Sequence, residues 1–282
     1  MRQALDLDRW PLDALDGAHG QALVARCRDD LRDAGMFSLP GLIRPGGLRA
    51  CVAEVAHLFD AAAFTHARDH NIYFDDEIEG LDAGHPALQR FKTVNRTICC
   101  DQIPASTIAR IYEWQPLIEF LAAAMEKPQL YPMADPLGRL NVMAYQEGER
   151  LNWHFDRAEF TITVLLQAPL GGGDFQYRSG LRSDTDPNYD GIARLLAGDD
   201  ARVRTLPLAP GTLNVFKGKN TAHRVTPVEG DRARIIAVFS YYETPHVTFS
   251  DTERLGFYGR TAPVRAEAQS RTRARSQAPA NR

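Results

Sequence analysis

Apolar positions before about residue 126 recur at helical spacing, whereas those after residue 139 alternate or run together as in strands. Leu23, Val24, Cys27 and Leu31 in AHGQALVARCRDDLRDA fall on one helix face, and Gly35 ends that helix. MFSLPGLI then predicts a short strand running into a turn. PGGLRACVAEVAHLF predicts a second helix, with proline at its start where a missing N–H costs nothing. Two more helical stretches lie near 105–113 and 116–126. Beyond Arg139, LNVMAY, FTITVLLQ, TLNVF and RIIAVFSYY are short runs rich in β-branched and aromatic residues, separated by Gly, Pro and Asn. The series predicts an α+β protein, with an N-terminal helical region over 1–138 packed on a sandwich or jelly-roll core over 139–262. GIARLLAGDD predicts a short helix inserted between strands. The last segment, 263–282, has almost no large apolar side chains and is expected to be disordered.

Composition changes this picture little. With 282 residues, 44% of them hydrophobic, the chain can bury a sizeable core. A net charge of -3 gives no basic excess for a nucleic-acid backbone, so a small-molecule partner is expected and nucleic acid is not. The longest apolar stretch, around Val164–Leu166, is too short to span a membrane, and the acidic N-terminal segment lacks the apolar stretch of a signal peptide. Cys27, Cys51, Cys99 and Cys100 form no C-x-x-C pair and read as reduced, buried thiols of a cytoplasmic protein. A homodimer is left open.

The chemistry concentrates in NWHFD, which ends at Asp156, and in NTAHRV around His223. In an extended strand, residues i and i+2 share a side, so His154 and Asp156 aim into one cavity while Phe155 faces away. His223, from a different strand, would complete a face of two histidines and one carboxylate. Such a set leaves coordination positions open and suits iron(II), whereas structural zinc prefers closed tetrahedral sites.

With Arg232 nine residues beyond His223, the strand PGTLNVF leading into that histidine and GGGDFQY after the first strand pair, the pattern over 139–243 resembles the double-stranded β-helix (cupin-like jelly roll) of the iron(II)/2-oxoglutarate-dependent oxygenases. The resemblance implies iron(II), 2-oxoglutarate and O₂ as cofactor and cosubstrates. It assigns the distal 2-oxoglutarate carboxylate to Arg232, with Arg234 as the alternative of equal strand parity, and adds Tyr145 and Thr161 to that subsite. A guanidinium fork grips a carboxylate in a fixed bidentate geometry that lysine cannot match. Related halogenases carry a small residue where Asp156 stands, so hydroxylation is the implied reaction. The whole chain is similar to the standalone free-amino-acid hydroxylases and halogenases, including the lysine halogenases, in its helical N-terminal region, its WHFD triplet and its C-terminal LGFYGR. That likeness implies a free amino acid as substrate, gripped by a basic residue of the N-terminal region, for which Arg96 is the candidate. Leu151 stands where that group has a polar residue, which argues against lysine. A hydroxylase of a peptide- or carrier-bound residue and a non-catalytic metal-binding sensor are the alternatives.

Other features carry less. His66, Asp69 and His70 read as a polar stretch bordering the substrate entrance, Gly171–Gly173 as a turn rather than a phosphate cradle, and Phe257–Arg260 as a lid.

Overall fold

The computed structural model describes residues 1–75, 77–78 and 80–264. The expected disordered tail falls, from residue 265 on, outside them. A seven-stranded antiparallel sheet runs in the order Met36–Leu39, Leu213–Phe216, Thr161–Gln167, Arg234–Phe239, Leu140–Tyr145, Phe91–Cys99, Phe64–His70. Facing it is a four-stranded sheet in the order Arg204–Leu206, Phe175–Arg178, Ala222–Val225, Leu151–His154. Two antiparallel sheets enclosing one cavity are the jelly-roll core expected from the strand pattern.

Alternation along the large sheet decides what each face meets. Ile162, Val164 and Leu166, like Ile235, Ala237 and Phe239, join the main apolar core beneath the helices. Thr161 and Thr163, like Arg234, Ile236 and Val238, turn to the cavity. The helical layer comprises Ala18–Asp33, Pro45–Ala56, Thr107–Tyr112 and Gln115–Ala124. The first presents Leu23, Val24, Cys27 and Leu31 inward, and Gly35 follows its end with φ of 77°. Pro45 opens the second, and Ser106 caps the third by accepting from the Ala109 N–H. Tyr189–Ala197 is the inserted helix.

The N-terminal region is not helical throughout. Phe64–His70 and Phe91–Cys99 form the edge of the large sheet, pairing with one another and, through Phe91–Cys99, with Leu140–Tyr145. Their cavity-facing residues include His66, Arg68, Thr93, Asn95 and Thr97. The rule of apolar-in and polar-out therefore fails here, because the inside is a polar binding wall rather than a packed core.

Phe120 is fully buried and meets Phe37 edge-on, with ring centroids 5.9 Å apart. Phe120→Ala removes that packing between the helical layer and the sheet. We expect it to destabilise the fold by about 3–5 kcal/mol in urea unfolding; an unchanged midpoint would place the stability elsewhere.

Candidate metal centre

His154 ends its strand directly opposite His223 in the neighbouring one, and the register shifts between His223 and Val225. The two rings lie 4.0 Å apart between centroids. Asp156 follows just past the strand end, where its backbone N–H donates to Gly218. Its Oδ1 is 3.5 Å from His154 Nε2 and its Oδ2 is 3.3 Å from His223 Nε2. One donor atom from each residue falls within 4.8 Å of the others.

The rings are oriented from behind. His154 Nδ1 donates to the Asn152 carbonyl at 2.8 Å and His223 Nδ1 to the Thr221 carbonyl at 2.9 Å. Each bond places the proton on Nδ1 and leaves the Nε2 lone pair facing the shared point, as a metal-binding histidine requires. Phe216 and Phe175 pack against His223, and Phe74 against His154. Burial pushes the His223 imidazole down to about 4, so it is neutral at physiological pH. Burial alone would raise the Asp156 carboxyl, but His223, His154 and the Thr161 hydroxyl together hold it well below the usual carboxylate range. Two imidazole nitrogens and one carboxylate converging on a single point are the donor set that a divalent iron ion needs. Gly218 permits this crowding: a Cβ there would lie 2.3 Å from Thr161 Oγ1 and 2.5 Å from Asp156 Oδ2.

The other expected site residues are placed less uniformly. Arg232 does not reach the cavity: it is exposed and donates to the Pro169 carbonyl on the outer surface. The strand begins only at Arg234, so strand parity does not extend back to residue 232. Arg234 is the cavity arginine, 2% exposed, cross-strand from Tyr145 with its guanidinium carbon 5.8 Å from that ring. Its Nε donates to Gly173, while Nη1 is buried without a partner. A guanidinium buried with an orphaned N–H is costly unless an anion completes it. Tyr145 lines the cavity as expected. Thr161 does too, but its hydroxyl donates to Asp156 Oδ2, which makes it a support of that carboxylate rather than a free group.

Arg96 points to the opposite face from Asn95 and Thr97 and pairs with Glu149 at 3.5 Å. The wall instead carries His66 and Arg68, one strand further out. The i, i+2 spacing of FTHARDH could have revealed them once that segment was read as a strand. His66 and His70 share a strand face; His70 is buried and bonded to Thr93 at 2.7 Å. Of the expected lid, Phe257 and Tyr258 line the cavity, whereas Arg260 turns away to grip Asp101. The helix Asp251–Tyr258 is anchored to buried Asp135, which accepts from Arg254 and from the Phe249 N–H, and to Arg157 through Glu253.

Two antiparallel sheets, a histidine–aspartate–histidine face on the smaller and a buried arginine on the larger define an iron(II)/2-oxoglutarate-dependent oxygenase. The halogenase D family matches residues 19–253, and the chain belongs to that family. No curated protein matches its sequence. Among solved structures it is similar to HygX from Streptomyces hygroscopicus, determined with nickel, 2-oxoglutarate and hygromycin B bound: 13% identity over 80% of this chain and 89% of that one, with a TM-score of 0.54. The epimerase SnoN from nogalamycin biosynthesis shares 16% identity over 79% of this chain and 83% of its own, TM-score 0.53. AviO1 from Streptomyces viridochromogenes Tue57 shares 15% identity over 79% and 96%, TM-score 0.53. Likeness at this level establishes the fold.

Burial lowers both His70 and His223 to about 4, below the value of about 6.5 expected in the unfolded chain. Between those values the unfolded state binds more protons than the folded one, so stability falls as pH drops through that window. Melting of metal-free protein should therefore move to lower temperature from pH 7 to pH 5; a flat profile would contradict neutral, buried imidazoles.

Proposed function

We propose that this enzyme hydroxylates an unactivated C–H of a free amino acid, using iron(II), 2-oxoglutarate and O₂. The observation that carries the reaction type is Asp156: the third donor is a carboxylate, occupying the position a halide would need. His154, Asp156 and His223 would hold the metal. The orphaned Nη1 of Arg234, with Tyr145 beside it, supports these two as the residues that receive the distal carboxylate of 2-oxoglutarate. When bound, iron and the oxoacid supply the oxidising power, with succinate and CO₂ as the spent cosubstrate.

The chain's own contribution is alignment and exclusion of water. Thr161 fixes one Asp156 oxygen, and the carbonyls of Asn152 and Thr221 fix the imidazoles. Aromatic rings from Phe249, Phe257 and Tyr258 cover the cavity, whose volume of about 410 Å³ suits a small substrate beside the cosubstrate. In place of Arg96, Arg68 is the basic residue of the N-terminal region positioned to meet a substrate carboxylate. A non-catalytic sensor would have no use for a buried, half-satisfied arginine facing the metal ligands. Four buried, unpaired thiols support a cytoplasmic setting.

Iron-loaded protein given 2-oxoglutarate, air and single amino acids should form succinate, with one amino acid accelerating turnover and gaining one oxygen atom by mass spectrometry. A halogenated product in chloride buffer would overturn hydroxylation, and no response to any amino acid would overturn the substrate class. Within the same assay, Arg234→Gln should weaken 2-oxoglutarate binding by about 10- to 100-fold, the worth of a charge-assisted hydrogen bond. Arg232→Gln should leave it near wild type; the reverse ranking would restore Arg232 to the cosubstrate.

A further inference from the structure

The strand ladder gives out where the metal ligands stand. The strand carrying His154 ends at that residue, and its pairing with the His223 strand is irregular there. Asp156 lies beyond it, with one backbone bond, from its N–H to the Gly218 carbonyl at 3.2 Å. The sheet alone therefore does little to fix the Asp156 segment against the one that leads into His223.

Arg182 joins those two segments. Phe155, between His154 and Asp156 in the chain, is buried in the apolar cluster of Leu181, Ile192 and Ala222. The Arg182 guanidinium carbon lies 3.9 Å from the centre of the Phe155 ring, on which Tyr73 also stacks at 6.1 Å. Arg182 Nε donates to the Lys219 carbonyl at 2.8 Å, and the adjacent Leu181 N–H donates to the Asn220 carbonyl at 3.0 Å. That same stretch, 217–221, supplies the Gly218 carbonyl for Asp156 and the Thr221 carbonyl for His223 Nδ1.

Arginine suits both contacts at once. Its flat face stacks on an aromatic ring while its Nε–H points outward in the guanidinium plane; a lysine ammonium has no such fixed direction. An apolar side chain would fill the space without the bond to Lys219. Half-burial pulls the Arg182 guanidinium below its usual value, and Tyr73, Asp184 and Asp156 act against that, so the metal carboxylate is within its electrostatic reach. The cavity lining, among the described residues, does not include Arg182.

Resting on the metal-centre reading, we propose that Arg182 is a positioning residue. It clamps the 154–156 triplet to the 217–221 segment and so sets the mutual angle of the three donors. It acts through the ligands and does not touch substrate.

Titration of cobalt(II) into the metal-free full chain tests this, since the visible d–d bands of bound cobalt(II) report donor geometry. Arg182→Met keeps the apolar stem and loses the guanidinium. It should weaken cobalt(II) binding by about 10- to 100-fold, the usual cost of removing an outer partner of the ligands, and should shift the bands. Arg182→Lys keeps the charge and should weaken binding by about 2- to 10-fold, the worth of the one hydrogen bond lost. Phe120→Ala, which loosens the fold on the helical side of the large sheet, should leave affinity and bands as in wild type. Wild-type affinity and bands in folded Arg182→Met overturn the proposal, as do changes of equal size in Phe120→Ala. If Arg182→Met does not fold, wild-type behaviour of Arg182→Lys overturns it instead. Wild-type protein that binds no cobalt(II) overturns the metal reading, and the clamp with it.

Discussion

The Asp156 carboxylate, held between His154 and His223, is the constraint around which this structure is arranged. Burial alone would favour its protonation, and the Thr161 hydroxyl, donating to Oδ2, favours the anion. Each partner arrives from a different segment. His154 stands at the end of one strand of the small sheet, His223 in the strand beside it, and Thr161 at the start of a large-sheet strand. The glycine at 218 leaves the space in which Asp156 and Thr161 meet. Joining the two sheets at that point is also what creates the cavity, so the fold and the candidate chemistry have a common origin.

The large sheet serves two environments with one alternating pattern. Its outer residues pack against four helices as an ordinary apolar core, and its inner residues form a wall with selected polar groups. Arg234 shows the tension in this arrangement. It is deeply buried, has one satisfied N–H and one orphan, and stacks near Tyr145. A site prepared for an anion carries that cost in the empty state and recovers it on binding.

Much of the centre was legible because its geometry is local. A strand places i and i+2 on one side, so H-x-D identifies a shared direction without further information. The helix stop at Gly35 and the helix start at Pro45 were legible for the same reason: each is a backbone property of a single residue. The resemblance assigns Arg232 by its distance from His223, and that distance does not say where the strand begins: it starts at Arg234, two residues later. Arg96 faces away from the cavity, which the sequence does not reveal because Phe91–Cys99 has no apolar alternation from which to read its facing. Its inner side chains are Thr93, Asn95 and Thr97, which resemble a solvated surface until the cavity is known. Functional walls are thus the least readable strands, because polarity no longer reports exposure.

Anaerobic titration of iron(II) into the wild-type chain and into Asp156→Ala tests the central claim most directly. Wild type should bind one iron per chain, and 2-oxoglutarate should tighten that binding; Asp156→Ala, still folded, should lose most of its affinity. If the variant binds iron as tightly as wild type, Asp156 is not a ligand, and this account of the centre is wrong.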